Sequence, residues 1–224
     1  PSHKLQAVHI CYFELEPCSL KLLIARFLSV LLHPLVMPTC TVWLALTVDP
    51  RMGYFLPPGS RWMLLGMLAL MTIVFPITSA LLLQRTGLVT SLEMPTRQER
   101  IAPFVMTLVY YCMAYYLLRQ TPVHPAVLAA FVGILGALFA TLAITLRWKI
   151  SAHMVGVGGL VGAITGIAMI HALPLIPVIA VLVLIGGVLG TARLLSSDHT
   201  QGQIIAGAAL GCGCTYGAVL MGWS

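Results

Sequence analysis

The chain reads as all-α, a polytopic transmembrane bundle of six or seven helices, and three observations carry that reading. Hydrophobic residues make up 59% of the 224 positions and charged residues only 8%. A soluble domain carries about 25% charged residues, so a water-facing surface cannot be assembled from this supply. The apolar residues fall in runs about as long as the roughly 20 residues that cross a bilayer as a helix. Those runs lack the polar–apolar alternation of transmembrane barrel strands. Lipid also forces each segment to satisfy its own backbone hydrogen bonds, which leaves helices.

Charges and prolines bound the runs. A polar lead, residues 1–19, holds Lys4, Glu14 and Glu16 and does not resemble a signal peptide. The first run, Leu20 to Thr47, contains His33-Pro34 and Pro38 and is expected to stay as one helix. The second, Trp62 to Leu83, leads into a polar connector from Gln84 to Arg100. The third is Ile101 to Leu118, and the fourth is Pro125 to Leu146, closed by Arg147-Trp148-Lys149. Met154 to Ala172 and Pro174 to Leu195 follow, then a polar corner from Ser196 to Gln203 and a seventh run from Ile204 to Trp223. The whole chain, 1–224, is expected to form one integral membrane domain.

Glycines recur at four-residue spacing in the last three runs: Gly158, Gly162 and Gly166, then Gly186 and Gly190, then Gly207 and Gly211. Small residues so spaced let membrane helices approach closely. A phosphate-cradling glycine loop is not the expected reading, because these glycines sit inside apolar helices rather than after a strand. The six cysteines form no C-x-x-C pair and read as small packing residues. The net charge of +6 comes without a basic run interleaved with aromatics, so no nucleic-acid partner is expected; membrane lipids or an anionic substrate fit better.

With helices counted in order, the connectors after the second, fourth and sixth emerge on one side. They bring Arg97, Arg100, Lys149, Ser151, His153, Arg193, Asp198 and His199 to one face of the bundle. Any single arginine at a helix end marks the membrane interface; the grouping points to a site. Helix N-termini attract anions, arginine forks bind phosphate, and histidine serves as nucleophile or acid near neutral pH. Together these residue types suit phosphoryl transfer without a metal or other cofactor. His33 reads first as a kink or packing residue and second as a site residue. His124 and His171 fall at helix ends on the opposite side and read as interfacial.

The spacing Arg193-(x5)-His199-(x3)-Gln203 resembles the third signature, S-R-x5-H-x3-D, of the type-2 phosphatidic acid phosphatase and vanadium haloperoxidase superfamily. Ile150-Ser151-Ala152-His153 resembles the second, P-S-G-H, about 40 residues earlier, and Arg97, Arg100 and Pro103 stand where the first, K-x6-R-P, would fall. The chain thus resembles a divergent bacterial member of that superfamily, with a motif-bearing core over 85–223. Gln203 departs from the pattern, replacing the aspartate that orients the nucleophilic histidine.

The resemblance implies a lipid phosphate phosphatase acting on a phosphatidic acid, phosphatidylglycerol phosphate, prenyl diphosphate or lipid A type substrate. His199 would form a phosphohistidine, His153 would protonate the leaving alkoxide, and Gln203 would fix the tautomer of His199. Arg193, Arg100, Arg97, Ser151 and Lys149 would hold the phosphate, which would arrive sideways from the bilayer. A non-catalytic relative that binds lipid or aids assembly is the rival reading, and a transporter with broken helices is a third. The implied location is the inner (plasma) membrane with the site on the periplasmic face. The count of Lys and Arg, nine on the site side against Arg51, Arg61 and Arg119 opposite, points instead to a cytoplasmic face.

Overall fold

The computed structural model describes residues 20, 22–54, 56–90, 97–196 and 199–222, apart from the side chains of Pro58 and Arg97. The polar lead, Asp198 and the Arg97 side chain lie outside that description. The described residues contain helices and no strand. In order these are α1 (Leu22–Leu31), α2 (Met37–Val48), a 3-10 turn (Pro50–Gly53), α3 (Pro58–Ala69), a π turn (Leu70–Val74), α4 (Phe75–Arg85), α5 (Arg97–Arg119), α6 (Pro125–Thr145), α7 (Ala152–Ile170), α8 (Ile176–Leu195) and α9 (Gln201–Met221). Six helices are long and apolar enough to cross a membrane, with α3, the π turn and α4 acting as one of them. This is the architecture of a multi-pass integral membrane protein.

The first apolar run is not one helix. Pro34 supplies no N–H for a helical bond and keeps His33 out of the helical region, so α1 ends and the chain turns. The Val36 N–H bonds the His33 carbonyl at 2.9 Å and the Met37 N–H bonds that of Pro34 at 3.3 Å. Pro38 then sits at the start of α2, where its missing N–H costs nothing. A second irregularity precedes Pro76. The Phe75 N–H reaches back five residues to the Leu70 carbonyl, widening the turn that the proline would otherwise break. Thr72 in that turn is buried and its Oγ1 lies 2.9 Å from Thr39 Oγ1 on α2.

The central helix is α7, the most buried of the six spans. It packs on α9, α2, α8 and α6. Its contact with α9 is made by small residues, as the glycine spacing predicts. A Cβ on Gly158 would collide with the Ala208 backbone, one on Gly162 with that of Cys212, and one on Gly211 with the Val155 carbonyl. Gly186 and Gly190 on α8 meet only side chains of Val157, Ile204 and Met154, so α8 is held less closely. Phe131, Ile164, Ile167, Leu189 and Val219 are fully buried between these helices. Large apolar side chains such as Phe139, Leu184 and Ile205 remain exposed, as a lipid-facing surface requires.

Arg97 and Arg100 fall in the first turn of α5 rather than in the preceding connector, and His153 falls in the first turn of α7. The site residues therefore ride on helix ends. The thiols of Cys40, Cys112, Cys212 and Cys214 are free.

Candidate functional site

A cavity of about 670 Å³ lies inside one half of the bundle. Its polar end carries Arg26, Arg100, His153, Arg193 and His199, together with His33 from the break between α1 and α2. Its far end is walled by Tyr111, Ile134, Ala137 and Thr215. Eleven residues of α5 separate Arg100 from Tyr111, about 16 Å at 1.5 Å per residue. The cavity thus runs from the helix ends toward the middle of the spans, and the bundle offers a substrate more than a sideways approach from lipid.

His199 precedes α9 and is 8% exposed. Its Nδ1 lies 3.1 Å from Gln203 Oε1, and the Thr200 N–H donates to that same oxygen at 3.2 Å. An oxygen that accepts the amide also accepts from Nδ1–H, which leaves the Nε2 lone pair bare. The geometry follows from local sequence: Thr200 and Gln203 form a reciprocal capping box, and His199 is the residue before the cap. Burial is the main cause that pushes the His199 pKa down to about 4. The Gln203 bond opposes this, while the charges of Arg193, Lys149 and Arg100 add to it. The ring is therefore neutral at pH 7.

Arg193 sits in the last turn of α8. Its Nη1–H donates to Ser29 Oγ at 3.2 Å, and Ser29 Oγ–H donates to the Ala25 carbonyl at 2.9 Å. His153 Nε2 lies 3.0 Å from the Ser29 carbonyl oxygen, which accepts its proton. The His33 ring meets His153 edge to face, with centroids 5.4 Å apart.

Of the other expected site residues, Arg100 lines the cavity and Lys149 is half-buried off its wall. Ser151 caps α7 with its backbone and is not among the residues that line the cavity. Its hydroxyl is fully buried and has no hydrogen-bond partner among the described residues. Sequence reasoning did not find Ser29 or Arg26. Their spacing with His33, at i, i+3 and i+7, was the available signal.

A second polar cluster closes the opposite end. His171, which caps the C-terminus of α7, is buried rather than interfacial, and its Nδ1 bonds Asp49 Oδ2. The other Asp49 oxygen accepts the Arg51 N–H at 2.9 Å. His124 caps α6 through an Ala126 N–H bond to its Nδ1 at 3.2 Å, and its ring stands edge to face with His171 at 5.0 Å. Burial raises the Asp49 pKa, but the bonds from His171 and Arg51 and their charges outweigh it and hold the carboxyl below its usual value. Among the described residues no cluster of histidine, cysteine and carboxylate side chains suits a metal ion.

Comparison with protein families, curated proteins and solved structures finds no match to this chain.

Proposed function

We propose that the chain is a membrane-embedded, metal-independent lipid phosphate phosphatase, a divergent relative of the type-2 phosphatidic acid phosphatases. The observation that carries this reading is the single cavity on which His199, His153, Arg193 and Arg100 converge from four separate elements. The cavity pairs a cationic end with an apolar interior, which suits a phosphate joined to a hydrocarbon chain.

In this reading the lipid phosphate places its oxygens between Arg193 and Arg100, whose guanidinium forks match phosphate geometry. Neutral His199 attacks phosphorus through Nε2, and the bond from phosphorus to the lipid oxygen breaks. The proton on His153 passes to that oxygen, and the lipid alcohol leaves. Water then attacks the phosphohistidine and gives a proton back to His153, releasing phosphate and restoring both rings. Gln203 keeps the proton of His199 on Nδ1. Lys149 adds positive charge near His199, and Ser151 with the α7 N-terminus supports the site.

A second reading has its own observation. Ser29 engages both Arg193 and His153, and Gln203 offers no charge to the ring. Both features fit a lipid-binding or assembly protein with little turnover. Purified protein assayed with phosphatidic acid, phosphatidylglycerol phosphate, a prenyl diphosphate and lipid A, in EDTA, separates the two. The hydrolase reading expects phosphate release that His199→Ala and Arg193→Ala abolish. Release at the wild-type rate by those variants would sink it, and tight phosphate binding without release would favour the second reading.

A further inference from the structure

We infer that His33 is a positioning residue for His153, an inference that rests on the hydrolase reading for its role in the reaction. The break between α1 and α2 carries three features that act together. The Ser29 carbonyl takes the proton of His153 Nε2 at 3.0 Å. The His33 ring stands edge to face against His153 at 5.4 Å. The Leu35 N–H donates to His33 Nδ1 at 3.3 Å, which fixes the neutral His33 ring with its proton on Nε2 and sets the ring plane. His153 is thereby held between a carbonyl on one side and a ring of fixed orientation on the other. The break is itself pressed onto α7: a Cβ on Gly156 would lie 2.9 Å from Met37 Cγ and 3.3 Å from Pro34 Cα. His33, His153 and His199 all line the one cavity.

The proton of neutral His153 accordingly sits on Nε2, opposite in tautomer to His199, whose proton sits on Nδ1. When the bond from phosphorus to the lipid oxygen breaks, the leaving oxygen draws the Nε2 proton away from the Ser29 carbonyl, and the water that then attacks the phosphohistidine returns a proton to the ring. A ring free to turn or to change tautomer delivers that proton poorly.

Two substitutions separate the ring from the turn. His33→Asn still accepts the Leu35 N–H through its side-chain oxygen, as asparagine does in such turns, but removes the ring. His33→Phe keeps a ring edge against His153. The first measurement is nitrogen NMR of histidine-labelled protein in detergent micelles. The wild type is expected to show His153 as the Nε2–H form, His33→Asn a mixture of tautomers, and His33→Phe the wild-type pattern, with His199 unchanged in all three. A His153 signal unaltered by His33→Asn, or equally altered by both variants, would overturn the inference. The second measurement compares phosphate release from an alkyl phosphate with release from p-nitrophenyl phosphate, whose leaving group needs no proton. His33→Asn is expected to lose about 10- to 100-fold on the alkyl ester alone, and equal losses on both esters would also overturn it. Wild-type protein inert toward both esters would remove the hydrolase reading, while the nitrogen signals decide by themselves whether His33 positions His153.

Discussion

Replacing Gln203 by glutamate puts a full negative charge where a neutral oxygen now meets His199. The change is isosteric and keeps the Thr200 capping box, whose usual partner is glutamate or glutamine. The new carboxylate would lie about 3.1 Å from Nδ1, as Gln203 Oε1 does. Two unit charges at that distance interact by about 1.3 kcal/mol at the dielectric of water and about 5 kcal/mol at an effective dielectric near 20. At about 1.36 kcal/mol per pKa unit this brackets a rise of about 1 to 4 units, and measured charge partners give about 1 to 3. The sign is upward, because the carboxylate favours the protonated ring. The His199 pKa is therefore expected to move from about 4 to about 5–7 in Gln203→Glu, read by NMR titration of its ring signals. If the proposed phosphatase reading holds, the same charge stabilises the imidazolium-like ring formed on attack, and phosphate release above pH 7 is expected to rise about 10-fold or more. A His199 pKa that stays in place or falls would refute the geometry assigned to Gln203.

The depressed pKa of His199 also sets a stability trend. The unfolded chain binds more protons between the ordinary histidine value of 6.5 and about 4, so stability is full above 6.5 and declines as pH falls through that window; thermal midpoints measured across pH 4–7 check it, and His199→Phe should flatten the slope. Asp49→Asn removes one member of the buried Asp49–His171 pair and is expected to cost about 3 kcal/mol, seen as a lower thermal midpoint at pH 7. The wild type should lose that contribution only as acid titrates Asp49 below its ordinary pKa, because its folded value is depressed. Gly211→Ala drives a methyl into the Val155 carbonyl and should cost about 1–3 kcal/mol. Gly213→Ala, with nothing within 4 Å, should cost nothing, and equal effects of the two on the thermal midpoint would contradict the α7–α9 packing.

The helical bundle was legible because composition and run length leave no other structure in lipid, and the glycine spacing foretold how α7 meets α9. The gathering of Arg100, His153, Arg193 and His199 was legible from counting connectors, since an even number of spans returns the chain to one face. The break at His33 was marked by Pro34, but a proline alone permits either a kinked helix or two helices, and packing of Met37 and Pro34 on Gly156 selects the second. Ser29 was invisible because its two roles depend on where α1 lies in space. The Asp49–His171–His124 cluster was missed for the same reason: these residues are far apart in sequence, and helix-end histidines in membranes usually face headgroups. The cavity left no signal, since alanines, glycines and threonines that line a space look like those that fill one.

The bare-backbone contact of α7 with α9 bears on how a site of this kind could admit a lipid. His153 stands in the first turn of α7 and His199 just before α9, so the two imidazoles are mounted on the arms of a caliper locked by Gly158, Gly162 and Gly211. Their separation is set largely by main-chain contact at these glycines. Any opening of the site has to come from elements outside that pair, and the one that touches both His153 and Arg193 through a single serine is α1.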